Sequence, residues 1–269
     1  MQDYLHVGFI GGGNMAGAII DAMLKSECLP ASHLHVFDPN QDKCARFAKK
    51  NISIAASNEE LVTTCDLVFL AVKPQSIPSV LPALSGKMDN KCLVSIAAGV
   101  SIDSLRSVLG DQVYYIRVLP NTPMLVMKGA SVISATKECP SEFLSLVEKI
   151  LSSAGIIDFL DEELINSVIP VSSSSPAFFF RFIRAMANAA ERNGIPYQTA
   201  LKLATETMLG SAHMLLESGK TPDELIAQVS SKGGTTVAAL TAFDDYHFED
   251  LMDEAFLRCI RRAEELGRQ

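Results

Sequence analysis

The sequence predicts an α/β protein in which a doubly wound, mostly parallel sheet is followed by an all-α domain. Strand-like apolar runs alternate with helix-like segments as far as residue 160, a pattern typical of a sheet with helices on both faces. Two of these runs, 66–72 and 92–98, are almost entirely apolar, as expected for strands buried on both faces. From Asp161 onward helical periodicity dominates. We therefore predict two domains, 1–160 and 161–269.

Composition and charge exclude several classes of protein. The net charge of −8 argues against a nucleic-acid partner, because such partners require a basic surface. No apolar run reaches the ~18–20 residues of a membrane span, and no basic segment precedes the first apolar run as in a signal peptide. Six scattered cysteines indicate reduced thiols, and no ligand set has metal-site spacing. We expect a cytoplasmic protein without a metal.

The first strand and the glycine turn after it predict a nucleotide site. The apolar run 5–10 ends at three consecutive glycines, and a helix-compatible segment follows. Gly11-x-Gly13-x-x-Ala16 fits the dinucleotide fingerprint of Rossmann-type domains. Gly11 permits the tight turn, Gly13 lets a pyrophosphate approach the backbone, and the start of the helix faces the phosphates.

The end of the second predicted strand, 34–38, bears on the choice of cofactor. An acid at this position, here Asp38, binds the ribose 2′-OH in the fingerprint and favours NAD over NADP. Asp38-Pro39-Asn40 is equally explained as a turn, so the preference stays open. In a parallel sheet the carboxyl ends of the strands form one rim. Five segments lie at this predicted rim: 11–15, 38–40, 71–74, 97–99 and 120–123.

The second domain contains another glycine-rich turn, between two predicted helices. The backbone N–H groups of this turn, together with its Ser and Thr hydroxyls, form a suitable pocket for a carboxylate. The residues concerned are Ser231, Gly233, Gly234, Thr235 and Thr236. A helix N-cap loop whose hydroxyls bind only their own backbone explains the same pattern. The apolar stripes of the helices at 178–192, 197–217 and 248–266 fit either a core or a dimer interface.

Five motifs, nearly end to end, resemble the Δ1-pyrroline-5-carboxylate reductases. They are Gly11-Gly12-Gly13-Asn14-Met15-Ala16, Ala71-Val72-Lys73-Pro74, Ala97-Ala98-Gly99-Val100, Arg117-Val118-Leu119-Pro120-Asn121-Thr122-Pro123 and Ser231-Lys232-Gly233-Gly234-Thr235-Thr236. The resemblance implies a helical domain that interlocks with a second subunit, and often a decamer. It also implies hydride transfer from NADPH or NADH to the C5=N imine of pyrroline-5-carboxylate, which gives L-proline.

The same resemblance assigns roles to individual residues. It places the substrate carboxylate on the loop from Ser231 to Thr236 and the ring nitrogen near Thr236, the one catalytic candidate. The Pro-Asn-Thr-Pro turn is expected near the nicotinamide, and the residue matching Asn58 on the adenosine side. The cofactor-binding candidates are Ile10, Gly11, Gly12, Gly13, Asn14, Met15, Asp38, Asn58, Ala71, Val72, Lys73, Pro74, Ala97, Ala98, Asn121 and Pro123.

Two alternatives stay open, and the first of them rests on a departure from the family. The family usually has Gly-Ser-Gly-Pro-Ala where this chain has Ser173-Ser174-Ser175-Pro176-Ala177, which adds two hydroxymethyl groups near the expected pocket. A non-catalytic nucleotide-binding paralogue would explain the change, although the intact loop at 231–236 argues against it. The second alternative is a β-hydroxyacid dehydrogenase, a family that shares the plan of a Rossmann domain followed by helices. That family needs a lysine on the first long helix of the second domain, and 178–192 has none.

Overall fold

A computed structural model describes residues 5–267, in which eight strands form a single sheet. The strands are β1 (Val7–Ile10), β2 (Leu34–Phe37), β3 (Ser53–Ile54), β4 (Leu67–Leu70), β5 (Cys92–Ser95), β6 (Tyr114–Leu119), β7 (Gly129–Ala135) and β8 (Gly155–Phe159). Their order is β3-β2-β1-β4-β5-β6-β7-β8, and every neighbouring pair is parallel except β6 and β7. The predicted mostly parallel sheet is confirmed, whereas the two-residue β3 was not predicted.

Strand β1 lies at the point where the strand order reverses. Val7 pairs with Leu34 of β2 on one side and with Leu67 of β4 on the other. Ligands of doubly wound sheets bind outside the carboxyl ends of the strands at such a reversal. Because β1, β2, β4, β5 and β6 are parallel, the segments that follow them share one edge, which confirms the predicted rim.

Helices cover the strands or follow them in the chain. They are α1 (Asn14–Lys25), α2 (Gln41–Ala48), α3 (Asn58–Thr64), α4 (Ile77–Val80), α5 (Ile102–Leu109), α6 (Ser141–Ser152), α7 (Glu162–Val168), α8 (Ser175–Arg192), α9 (Tyr197–Ser218), α10 (Pro222–Val229), α11 (Thr235–Asp245) and α12 (Phe248–Gly267). Thr221 and Glu224 form a capping box at the start of α10. Among the described residues, none of these helices is long and apolar enough to cross a bilayer.

The apolar core forms two layers, one on each face of the sheet. Alternate residues of β1 and β4 belong to different layers, so Phe9 and Phe69 share one layer while Ile10 and Leu70 share the other. The rings of Phe9 and Phe69 stack with centroids 4.7 Å apart. Helices α1 and α6 close the first layer, and α3 and α5 close the second. Helices therefore cover both faces, as the apolar strands predict.

The chain divides into two compact units. One contains residues up to Ser174 and those from Arg258 onward, and the other contains Ser175–Leu257. Helix α7 packs against β7 in the first unit, and α8 packs against α9 in the second. The predicted domain boundary at residue 160 remains a prediction, and these compact units divide the chain at other positions.

The last residues of α12 meet the turn that follows β5. Gly99 has a φ of +81°, and a side chain there would collide with the backbone of Ala263 and Gly267. Gly99 is thus required both for its left-handed backbone and for the close approach of the helix.

A half-buried carboxylate connects three elements behind the rim. Glu162 of α7 accepts the Ile102 N–H at 2.6 Å and pairs with the Arg117 guanidinium of β6 at 3.3 Å. Arg117 also donates to Asn166 at 2.7 Å. Burial lowers the pKa of Arg117, and Glu162 opposes that shift.

A lysine closes the carboxyl end of α3. The Lys91 ammonium donates to the backbone carbonyls of Val62, Thr63 and Cys65 at 2.6, 3.1 and 2.8 Å. A cation there satisfies carbonyls that the helix itself leaves unpaired and offsets the negative end of the helix dipole.

Three histidines meet at the amino ends of β1 and β2, away from the rim. His6 Nδ1 lies 2.9 Å from His35 Nε2, and the His6 ring stacks on the His33 ring. Burial lowers the pKa of His35, and the nearby His6 and His33 lower it further, while Glu60 opposes them.

Candidate functional site: a dinucleotide cleft and a second glycine loop

A cleft of about 490 Å³ opens at the carboxyl ends of β1, β2 and β4. The residues that line it come from the glycine turn, from the end of β2 and from the turn after β4. They are Ile10, Gly11, Gly13, Phe37, Asp38, Pro39, Lys43, Asn58, Ala71, Val72, Lys73, Ser76, Ser79 and Val80. The cleft therefore lies where the strand order reverses, the position expected for a dinucleotide.

The glycine turn has the geometry that a pyrophosphate requires. Gly11 has a φ of +99°, and a Cβ on it would lie 2.7 Å from the Ala71 carbonyl oxygen. A Cβ on Gly13 would meet nothing within 4 Å, so the backbone there is open to a ligand. Gly13 is also the N-cap of α1 and gives the helix no side-chain cap, which leaves the first N–H groups of α1 for an anion.

Asn58 offers the cleft an unpaired acceptor. Its Oδ1 is buried and has no hydrogen-bond partner within residues 5–267. A buried carbonyl oxygen without a donor is costly, so a donor from a ligand would be stabilising here. A ribose hydroxyl is such a donor. The open backbone at Gly13 and this orphaned oxygen together show that the cleft fits a dinucleotide.

Asp38 lines the cleft, but its carboxylate is engaged within the protein. Oδ2 accepts the Gly12 N–H at 2.9 Å and the Lys43 ammonium at 3.0 Å, and Oδ1 accepts the Asn40 N–H at 2.9 Å. Burial raises the pKa of this carboxyl, but the two backbone hydrogen bonds and Lys43 outweigh burial and lower the pKa overall. Asp38 therefore holds the glycine turn and the turn after β2 together as a carboxylate.

The cleft does not bring together all the cofactor candidates from the sequence. It contains Ile10, Gly11, Gly13, Asp38, Asn58, Ala71, Val72 and Lys73, but its walls do not include Gly12, Asn14, Met15, Pro74, Ala97, Ala98, Asn121 or Pro123. Sequence reasoning missed Phe37, Pro39, Lys43, Ser76, Ser79 and Val80. Phe37 ends β2, and Pro39 and Lys43 follow it closely, so proximity to a strand end is their sequence signal. Ser76, Ser79 and Val80 lie six to ten residues beyond the end of β4 and carry no such signal.

Asn121 has a structural role in this arrangement. The side chain is buried, its Oδ1 accepts the Ala130 N–H at 2.9 Å, and its Nδ2 donates to the Ser172 carbonyl at 3.1 Å. The amide thus connects the turn after β6 with the start of β7 and with a π-helical turn, Ile169–Ser173. Such turns are frequent at functional sites.

Ser173, which stands where the family usually has glycine, and its neighbour Ser174 make contacts of their own. The Ser173 hydroxyl donates to the Pro120 carbonyl at 3.0 Å, and the Ser174 hydroxyl lies 3.3 Å from the Cys259 thiol. Ser175 is buried. The hydroxyls of Ser173 and Ser174 therefore join the π-helical turn to the end of β6 and to α12 within the first unit.

The second glycine loop belongs to the other compact unit and precedes α11. Gly233 has a φ of +71°, and the Gly234 N–H donates to the Ser231 carbonyl at 2.8 Å. Gly234 is the N-cap of α11, and no side-chain hydrogen bond caps the helix. The first N–H groups of α11 therefore stay available to an anion, beside the exposed Thr235 and the half-buried Thr236.

These features define a dinucleotide-binding protein of the Rossmann class with an additional helical unit. Two family models match the chain: residues 6–99 match the one described as NADP oxidoreductase coenzyme F420-dependent, and residues 162–266 match pyrroline-5-carboxylate reductase dimerisation. Curated pyrroline-5-carboxylate reductases are similar over nearly their whole length. The Pseudomonas aeruginosa protein is 38% identical over 98% of this chain and 97% of its own.

A second relative and a solved structure give the same result. The Haemophilus influenzae pyrroline-5-carboxylate reductase is 37% identical over 97% of both chains. The crystal structure of Plasmodium falciparum pyrroline carboxylate reductase with NADP bound superposes with a TM-score of 0.91 at 26% identity, over 99% of this chain and 100% of that one. The chain belongs to the pyrroline-5-carboxylate reductase family, and the resemblance drawn from the motifs is confirmed.

Proposed function

We propose that the protein is a pyrroline-5-carboxylate reductase that reduces the C5=N imine of 1-pyrroline-5-carboxylate to L-proline with NADPH or NADH. The observation that carries the proposal is the nearly end-to-end match to reductases at 37–38% identity, which includes both glycine loops. The geometry of the cleft fits a dinucleotide, and the N–H groups and hydroxyls of the second loop fit the carboxylate of a small acid.

When bound, the nicotinamide cofactor supplies the hydride. The first task of this chain is to hold that cofactor. Gly13 and the first N–H groups of α1 bind the pyrophosphate, and the helix end contributes ~0.3–2 kcal/mol in a favourable geometry. Asn58 accepts a ribose hydroxyl. The Ala71-Val72-Lys73-Pro74 turn and, through the family resemblance, Ala97, Ala98, Asn121 and Pro123 are proposed to complete the cofactor site.

The second task is to orient the imine. The N–H groups of Gly233, Thr235 and Thr236, with the Ser231 and Thr235 hydroxyls, bind the substrate carboxylate, and Gly234 shapes the loop through the bond from its N–H to the Ser231 carbonyl. Toward a neutral imine, the Thr236 hydroxyl would donate a hydrogen bond to the ring nitrogen and relay to it a proton supplied by water. Toward an imine that is already protonated, the Thr236 oxygen would accept a hydrogen bond from the ring N–H. A cyclic imine is basic, so a protonated ring is already a good electrophile and no strong general acid is needed. Most of the acceleration would then come from holding the imine in one orientation for the hydride that the bound cofactor would supply.

The second unit also supports a homodimer. Large apolar side chains stand exposed on its helices, among them Phe180, Leu216 and Tyr246 at 66, 80 and 85% exposure. Exposed apolar surface of this extent marks an interaction site, and the family model that matches 162–266 is named for dimerisation. We propose that a second copy covers these side chains. A decamer remains a prediction from the resemblance.

A reducing, cytoplasmic location is part of the same proposal. The six cysteines are all free thiols, and four of them are buried. Disulfides are rare in that compartment, so this state of the thiols supports the location.

The test is proline-dependent reduction of NADP⁺ and NAD⁺ at alkaline pH, with Thr236→Ala compared with Thr241→Ala. Thr241 lies on the same helix, and its hydroxyl donates to its own helix backbone at 3.1 Å. We expect turnover in the wild type and in Thr241→Ala, and a kcat about ten- to a hundredfold lower in Thr236→Ala at an unchanged KM for the cofactor. Cofactor binding without turnover would favour the non-catalytic paralogue. A complex with proline bound away from Thr235 and Thr236 would contradict the assigned roles.

A further inference from the structure

We propose that Lys43 binds the 2′-phosphate of NADPH, and that Asp38 anchors the glycine turn instead of selecting the ribose 2′-OH of NADH. The inference rests on the proposed cofactor site and adds the residue that sets its cofactor preference. It reverses what the acid at the end of β2 predicts from the sequence alone.

The contacts of Asp38 argue against a ribose-binding role. Its Oδ2 already accepts two hydrogen bonds, from Gly12 and from Lys43, which fills the lone pairs of that oxygen. Its Oδ1 accepts the Asn40 N–H, and only 6% of the side chain is exposed. A ribose diol, which would present two hydroxyl donors, finds at most one remaining acceptor position there.

The position of Lys43 fits a phosphate. The ammonium lies 3.0 Å from Asp38 Oδ2, lines the cleft, and its side chain is 47% exposed. An ammonium has three N–H donors, and in the described part of the chain the hydrogen bond to Asp38 uses one of them. Two donors can therefore point at a ligand beside the end of β2, where the adenosine ribose lies in this type of domain.

The charges near the end of β2 also favour a 2′-phosphate. An unpaired acid would repel a 2′-phosphate, but Lys43 neutralises Asp38. Asp42 is exposed and is not part of the cleft wall. The nearby Arg46 guanidinium donates to the Gly12 and Gly13 carbonyls, so it supports the turn from outside. Lys73 lines the cleft from the β4 side. Lys43 is thus the cation placed at the ribose end.

The acceptor for the ribose hydroxyl comes from another residue. Asn58 lies on the cleft wall, and its Oδ1 is buried and lacks a partner within residues 5–267. Asn58 would accept a hydrogen bond from the ribose hydroxyl, and Lys43 would donate hydrogen bonds to the 2′-phosphate. This end of the cleft therefore has one protein group for the hydroxyl and one for the phosphate.

The experiment is calorimetric titration of the full chain with 2′,5′-ADP and with 5′-AMP, two fragments that differ only in the 2′-phosphate. The variants are Lys43→Met, Lys43→Arg and the control Lys49→Met, which removes an exposed lysine at the end of α2. Thermal unfolding confirms that each variant is folded. We expect the wild type to bind 2′,5′-ADP about tenfold more tightly than 5′-AMP, as a charge-assisted phosphate contact warrants.

Each outcome decides the inference. Support requires that Lys43→Met loses the preference while keeping its affinity for 5′-AMP, and that Lys43→Arg and Lys49→Met retain the preference. Equal binding of both fragments by the wild type overturns the inference, as does an equal loss of both in Lys43→Met. If either of these results is found while the wild type still oxidises proline with NAD⁺, the inference about Lys43 fails and the proposed function stands. If neither fragment binds, the proposed cofactor site fails with it.

Discussion

Glu162 offers a sharp test of how the first unit is held together. Glu162→Ala removes the partner of Arg117, whose side chain is 4% exposed, and the acceptor of the Ile102 N–H. Loss of one partner of a buried pair costs about 3–5 kcal/mol, and an unpaired backbone N–H costs about 1–3 kcal/mol more. The Glu162 side chain is 26% exposed, so water replaces part of what is lost, and Asn166 still binds Arg117. We expect a loss of about 3–4 kcal/mol in the free energy of unfolding.

The measurement is urea unfolding by far-UV circular dichroism at pH 7 and one fixed protein concentration. With an m-value of about 3 kcal/mol/M, the midpoint should fall by about 1 M. Glu163→Ala is the matched control, because Glu163 is exposed on the same helix, and it should change stability by less than about 0.5 kcal/mol. Glu162→Gln, which keeps an acceptor and loses the charge, should lie between the two. Equal midpoints for Glu162→Ala and Glu163→Ala would refute the reasoning.

Three further predictions follow from contacts described above. Asn121→Ala should lower the free energy of unfolding in urea by about 2–4 kcal/mol, because the buried Ser172 carbonyl and the partly buried Ala130 N–H lose their partner. A loss of cofactor affinity at unchanged stability would contradict the structural role. Lys91→Met should lower the free energy of unfolding in urea by about 1–3 kcal/mol, because the carbonyls at the end of α3 lose their cation. The control Lys87→Met loses one exposed hydrogen bond and should lower it by less than about 1 kcal/mol. Equal losses in the two variants would refute the capping role of Lys91. The folded state lowers the pKa of His35, so the unfolded chain takes up the proton first as pH falls below about 6.5. Stability should be full above that pH and decline below it, and His35→Gln should flatten this decline in thermal unfolding between pH 7 and 5.

The sequence predicted most of the sheet because burial on both faces leaves a local mark. Runs such as 67–70 and 92–95 consist largely of apolar residues, and the structure buries them fully. Strand β3 leaves no such mark, since Ser53 and Ile54 are exposed at the edge of the sheet. The antiparallel pairing of β7 with β6 was equally invisible, because strand direction depends on the path of the chain and not on the composition of the strand.

In the candidate site, too, the sequence predicted what depends on local spacing and missed what depends on contacts made by the fold. The glycine turn was predictable because its spacing is dictated by the close approach of a phosphate to the backbone. The role of Asp38 was not predictable from the sequence, because the charge of Asp38 is neutralised by Lys43, which lies in the first turn of α2. The place of Asn121 at the cofactor stays a prediction, and the contacts of its amide with Ala130 and Ser172 could not be predicted because they depend on the folded path of the chain.

The return of α12 to the first unit has a practical consequence for dissecting this chain. The polypeptide passes between the units twice, near residues 174 and 258, and its final turns lie against Gly99. No single cleavage can therefore release an intact nucleotide-binding half. A fragment that stops at Ser174 would expose the backbone around Gly99 to water, whereas excising 175–257 and joining the flanking ends would keep that contact.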